Sequence, residues 1–366
     1  MRHDLHLSLS AVGVVLAAEW IGTSVTLLPW GILADRVGER IVLGVGLAGC
    51  AAFLAAAAFA HSLAGLVPLL ALAGAAGASV NSASGRAVMH WFGEQERGLA
   101  LGIRQTAIPI GGLIGTIALP LSVAGGGLEA AFLVLAGISL AGAVAGVAII
   151  REGVHDGIEP ERLGATLRDL RLWRVCLGSG LYLVAQVAII GFAVLFLHDA
   201  RGFSTGEGAA LLAVAQVFAA ALRIGAGRWS DVIGARLVPL TRIGVVTTVA
   251  VALVAALVHA TTVLLLPVLA IAGGLSMAWN GLSFTAAAEL AGRARSGAAI
   301  GFQQTVLSLL GVGAPIAFAA TVSASSWRVA FLLAALFPLI GSLILRPLAR
   351  RERGTTAVRA VRPLGR

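Results

Sequence analysis

The chain has 366 residues, of which 58% are hydrophobic and only 12% charged, and its mean hydropathy is +0.96. That balance excludes an ordinary soluble globular domain. The formal net charge of +9 is carried entirely by arginine, yet the arginines lie in short gaps between apolar runs rather than on a basic face with interleaved aromatics, so nucleic-acid binding is excluded too.

Residues 1–10 carry no basic leader, hydrophobic core or small-residue cleavage site, so no secretory signal is expected. Apolar runs of bilayer-spanning length, about 20 residues each, follow at 9–33, 41–61, 64–90, 99–122 and 129–150. A charged stretch, 151–173, reads as a solvated linker. Further runs at 174–197, 206–227, 237–258, 262–288, 297–321 and 328–347 precede a basic tail, 348–366. The expected fold is an all-α membrane protein with about eleven spans, because a span in hydrocarbon satisfies its own backbone only as a helix and the runs lack the alternation of a membrane barrel.

Arginine placement orients the spans. One set of gaps holds Arg36, Arg40, Arg97, the linker arginines, Arg228, Arg236, Arg293, Arg295 and the tail from Arg346 onward, whereas the other holds Arg2, Arg201 and Arg328. The first set is expected in the cytoplasm, with the C-terminus, and Met1 outside. Cys50 and Cys176 fall inside apolar runs and read as packing residues. No histidine, cysteine or acid cluster has metal-ligand spacing.

An internal repeat organises the chain. GILADRVGER, Gly31 to Arg40, is answered by GRWSDVIGAR, with Gly31, Asp35, Gly38 and Arg40 matching Gly227, Asp231, Gly234 and Arg236. RGLALGIRQT, Arg97 to Thr106, is answered by SGAAIGFQQT, Ser296 to Thr305, and Asn81 by Asn280. Two bundles are expected, 1–150 and 174–347. The first shows five spans and the second six, and under the repeat the span without a partner is the first. Either the start codon is placed too far downstream or this is an eleven-span variant.

GILADRVGER matches G-x-L-x-D-R-x-G-x-R, the signature loop between the second and third helices of the major facilitator superfamily, and the chain is identified by it as resembling that family from residue 5 to about 347. The copy at Gly227 and the ERGLALG segment are similar to further family features. The resemblance implies two pseudo-symmetric six-helix bundles around a central cavity, opened alternately to each side by rocking. It implies that Asp35 is a latch on a helix N-terminus of the other bundle, which agrees with the macrodipole. Gly31 and Gly38 would permit close helix approach, and Arg36 and Arg40 would balance the acid.

Ionisable residues inside spans are functional candidates. Glu19 lies near the middle of the first run, with Trp20 beside it and Thr23 and Thr26 continuing its face, and reads as a proton or substrate-cation site or as a structurally paired acid. Arg104 and Gln105, matched by Gln303 and Gln304 in the second half, suit a cavity wall; Arg104 reads as a contact for an anionic group or as a snorkelling arginine. Tyr182 and Gln186 share a face of the run at 174–197, and Trp279, Asn280 and Ser283 offer a polar patch, for ligand contact or interhelical packing. Arg86, His90, Arg223 and Glu289, close to span ends, read as snorkelling or gate-pairing groups.

The expected activity is secondary active transport of a small organic, preferentially anionic solute across the cytoplasmic membrane, with protons as the candidate coupling ion and the lipid bilayer as surroundings. The expected state is a monomer that is no enzyme and needs no cofactor or metal. Alternatives are a drug or metabolite efflux antiporter and a non-transporting receptor. Leu69 to Gly77 lacks the fourth-helix arginine of many antiporters, and Ile108 to Gly112 only partly resembles their glycine-proline motif.

Overall fold

The computed structural model describes residues 9–151 and 163–361. The middle of the linker, the last five residues of the tail and residues 1–8 lie outside the described residues. The rest is helical: α1 (Leu9–Val37), α2 (Glu39–Ala58), α3 (Leu63–Gly77), α4 (Ser79–Trp91), α5 (Arg97–Gln105), α6 (Ala107–Ile149), α7 (Leu163–Arg168), α8 (Leu170–Arg201), α9 (Thr205–Ile233), α10 (Leu237–Ala256), α11 (Thr262–Met277), α12 (Asn280–Ala291), a 3-10 turn (Arg293–Arg295), α13 (Ser296–Ala324) and α14 (Trp327–Val361). Among the described residues, nine helical stretches are long and apolar enough to cross a membrane. The expected runs at 9–33 and 99–122 are helical as well but fall outside those nine, the first on α1 and the second divided between α5 and the start of α6. The gap expected between 122 and 129 is a kink at Gly126 and Gly127 inside α6, where Gly127 takes φ 69°.

Local chemistry sets the helix ends. Ser204 and Glu207 form a reciprocal capping box at the start of α9, Asp169 caps α8 through the Arg171 amide, and Ser62 caps α3 through the Gly65 amide. Gly202 closes α8 in the left-handed region. The signature glycine Gly234, at φ 62°, takes the same region where α9 turns into α10, and Gly38, at φ 93° and ψ 157°, takes a different positive-φ conformation where α1 turns into α2. Gly38 therefore serves a turn that L side chains avoid, rather than the helix contact expected of it.

The chain forms two compact units, each drawing one segment from the other sequence half: residues 1–91, 110–168 and 291–305 form one, and residues 92–109, 169–290 and 306–366 the other. In the first unit, α1 crosses α3 where a Cβ on Gly22 would strike the Ala71 carbonyl and one on Gly74 would strike the Glu19 backbone. Such crossings rely on small residues because lipid gives helices no hydrophobic reason to associate. Thr23 and Thr26 donate to the Gly74 and Ala75 carbonyls at 3.1 and 2.8 Å, and the Trp30 indole donates to Ala75 at 2.6 Å. The threonine row expected to extend a functional face is thus interhelical packing.

In the second unit, Phe196, Phe318, Trp327 and Phe331 interlock with ring centroids 5.3–6.3 Å apart, binding α8, α13 and α14 into one core. Large apolar side chains such as Val217 and Val263 cover outward surfaces, as a lipid-facing protein requires. The basic tail begins as a continuation of α14. Glu352 on it accepts hydrogen bonds from the backbone amides of Arg236, Leu237 and Val238 at 2.6, 2.9 and 3.0 Å, capping α10.

Candidate functional site

Two helix crossings carry the repeat's conserved pattern of glycine and aspartate into matching geometry. In the first unit, Asp35 near the end of α1 accepts hydrogen bonds from the first amides of α13, Gly297 at 2.9 Å and Ala298 at 2.7 Å. In the second unit, Asp231 near the end of α9 accepts from the first amides of α5, Gly98 at 3.0 Å and Leu99 at 2.7 Å. A helix leaves its first four N–H groups unpaired and carries positive charge at that end, so a carboxylate answers both needs.

The backbones come close enough because the crossing residues lack side chains. A Cβ on Gly31 would meet the Gly297 carbonyl, and one on Gly227 would meet the Gly98 carbonyl. Gly31 and Gly227 thus perform the close approach that the motif requires.

Burial makes each acid dependent on a cation, and the two crossings supply it differently. Arg86 of α4 donates from Nε to Asp35 at 3.1 Å and also bonds Glu39, which is wholly buried. At the other crossing Arg236 itself bonds Asp231 and donates from Nε to both Glu289 oxygens at 3.2 Å, and Arg97 lies 3.9 Å from Glu289. Arg36 and Arg40 are exposed, so the balancing role expected of them falls in the first crossing to Arg86. Desolvation raises Asp35, beyond the end of its apolar run, to about 6 despite the amides of Gly297 and Ala298 and the Arg86 charge.

Arg223, read from sequence as a snorkelling or gate-pairing group, is buried at 2% exposure and spans two broken helices. Its Nη1 donates to the Gln105 carbonyl at the end of α5 (2.8 Å) and its Nε to the Met277 carbonyl at the end of α11 (3.0 Å). The signal for this was present: Pro109 has no N–H to offer the Gln105 carbonyl one turn back, so an acceptor is orphaned inside a span.

The remaining candidates are scattered across the two units. Glu19 is exposed and receives the Thr23 hydroxyl at 3.3 Å. Arg104 is half-buried on α5, Gln105 is buried beside it, and Gln303 and Gln304 follow the Gly297 crossing on α13. Tyr182 is buried at 1% exposure, donating to the Leu240 carbonyl at 3.3 Å and pairing with Ser342 at 2.9 Å. Its hydroxyl is therefore committed to packing among α8, α10 and α14. Trp279 meets Tyr182 edge to face at 6.2 Å, Asn280 is buried next to it, and Gln186 lies one turn along α8 with a buried Oε1 that has no hydrogen-bond partner among the described residues. Among the described residues no group of three or more histidines, cysteines or acids could hold a metal.

A family model described as Major Facilitator Superfamily matches residues 1–315. The chain is 34% identical over 342 residues to an uncharacterised MFS-type transporter of Mycobacterium tuberculosis, covering 90% of this chain and 75% of that protein. It is 30% identical over 111 residues to a probable L-galactonate transporter of Escherichia coli, covering 30% of this chain and 24% of that one. Its fold is similar to that of the major facilitator transporter FucP, a fucose:proton symporter of E. coli, in an outward conformation, with a TM-score of 0.77 at 16% identity over 93% of this chain and 90% of that chain.

Proposed function

Because the chain belongs to the major facilitator superfamily and is a multi-pass membrane protein, we propose that it is a secondary transporter that moves a small organic anion across the cytoplasmic membrane by alternating access. The observation that carries this reading is the paired latch: two aspartates, placed by the repeat, each seated on the first amides of a helix from the opposite sequence half. A carboxylate on a helix N-terminus holds well while buried and lets go without covalent change, as a gate demands.

Both latches are engaged, and in this reading they form one gate. The arginine bias puts that gate and the C-terminus on the cytoplasmic side. A five-span bundle, 1–150, and a six-helix bundle, 174–347, joined by the linker at 151–173, remain the reading that the repeat supports.

An anion is the substrate class because Arg104 stands half-buried inside a helix, where a guanidinium favours a carboxylate by charge and by paired hydrogen bonds. The partial similarity to a galactonate transporter points the same way. Glu19, exposed on α1, is the proton site in this reading, with Gln186, Asn280, Gln303 and Gln304 as polar contacts and Tyr182 as support. Proteoliposomes loaded with a proton-sensitive dye and offered labelled sugar acids test it. Saturable uptake with dye acidification is expected, diminished in Arg104→Ala and uncoupled from protons in Glu19→Gln. Uptake unchanged in Arg104→Ala removes the anion site, and dye signals unchanged in Glu19→Gln remove the proton site.

A further inference from the structure

The α5–α9 crossing is held at both ends of α5, whereas its counterpart is held by an acid at only one end of the crossing. α9 runs antiparallel to α5, so Asp231 meets the α5 N-terminus and Arg223, about two turns earlier on α9, meets the Gln105 carbonyl at its C-terminus. An acid at the positive end and a base at the negative end complement the helix dipole of α5 twice over. Between them Gly98 and Gly102 let the backbones touch, a Cβ on either colliding with the Gly227 or Arg223 carbonyl.

The α1–α13 crossing has the same acid, Asp35, and the same close glycines, Gly297 and Gly301. At the place of Arg223 it has Leu27, at the same spacing before its aspartate. The place of Pro109 is taken by Ser308, so no proline removes the amide that the Gln304 carbonyl would use, and α13 runs unbroken through this region. The base is thus absent where the orphaned carbonyl is absent.

We infer that Arg223 is a positioning residue that makes the α5–α9 seam the fixed side of the gate and leaves the α1–α13 seam as the side that parts. Releasing α13 breaks the two hydrogen bonds of Asp35. Releasing α5 breaks those of Asp231 and also the Arg223 bond to the Gln105 carbonyl, leaving a buried guanidinium with the Met277 carbonyl of α11, a larger penalty in a low-dielectric interior. The functional meaning rests on the alternating-access reading above, but the test reads seam separation without a substrate, so its failure is distinct from a failure of uptake.

Spin-label distances in nanodiscs decide it. With Cys50 and Cys176 replaced by alanine, one exposed label pair spans the first seam (Arg36→Cys with Arg293→Cys) and another the second (Glu96→Cys with Arg228→Cys). Asp35→Ala, which removes both acceptors of the Gly297 and Ala298 amides, is expected to add a longer distance component to the first pair. Asp231→Ala is expected to leave the second pair unchanged, and Asp231→Ala with Arg223→Met to add a longer component there. Arg223→Lys in place of Arg223→Met keeps the charge but cannot reach both carbonyls, so it should give the same change to a smaller extent and serves if the methionine variant does not fold. Separation of the second pair by Asp231→Ala alone, no separation in the double variant, or an unmoved first pair in Asp35→Ala would each overturn the inference.

Discussion

The α1–α13 and α5–α9 crossings begin from the same sequence pattern and reach the same latch, but they neutralise its buried charge by different routes. In the first, the cation is Arg86 from a neighbouring helix, and the motif's own Arg40 faces outward. In the second, the motif's Arg236 turns inward to Asp231 and Glu289, and Arg223 adds a second anchor. A repeat therefore conserves what the helix N-terminus demands, an acid and two glycines, and leaves free how the acid is compensated.

The sharpest way to break this comparison is to remove the arginine at one motif position in both copies. Arg236→Ala leaves the buried Asp231 without its cation and takes one of two from the half-buried Glu289, and should cost about 3 kcal/mol, read as a large fall in thermal midpoint. Arg40→Ala removes an exposed side chain and should stay within about 0.5 kcal/mol. Equal losses would contradict the structural asymmetry. Arg86→Ala is expected to resemble Arg236→Ala, since it strands Asp35 and Glu39.

The glycines test what is shared. Gly31→Ala and Gly227→Ala each drive a Cβ into a facing carbonyl and should lose about 1–3 kcal/mol apiece, whereas Gly225→Ala faces open space and should be neutral or slightly stabilising. Similar midpoints for all three would remove the close-approach argument. Glu352→Gln weakens the cap on α10 beside the second latch and should cost about 1 kcal/mol.

Acidity offers a subtler probe of the first latch. The closed form holds Asp35 at about 6 because burial outweighs its amide and Arg86 partners, while a carboxylate released to water titrates near its ordinary value of about 3.9. The ionised acid carries the burial penalty in full above about pH 6. As pH falls through 6 the closed form takes up the proton first, so acidification from 7 to 5 should shift the first seam toward closure. Asp35→Asn should abolish that shift in the label distances across α1 and α13.

The latch was legible because charge between apolar runs is conspicuous and the repeat displays it twice. The counter-charges were harder to place. Arg86 and Glu289 were readable as gate-pairing groups near span ends, but which acid each one meets depends on helix rotation, which apolar runs without clear periodicity do not fix. Arg223 sat in the same ambiguous position, and only the missing amide of Pro109 marks why a buried base is needed there. Tyr182, expected on a cavity face with Gln186, lies against glycines on α10 and α14 that let its ring sink between helices; a Cβ on Gly244 or Gly341 would strike it. Side-chain packing of that kind is invisible to a hydropathy reading.

Hydrogen exchange of the unmodified protein in nanodiscs tests the central claim most directly. The first amides of a helix have no partner within it, so protection at Gly98 and Leu99 or at Gly297 and Ala298 reports the latches themselves. Both pairs should exchange more slowly than uncapped first-turn amides, and Gly98 and Leu99, clamped from both ends of α5, should be the slower pair. Unprotected amides at both crossings, or slower exchange at Gly297 and Ala298, would contradict the account.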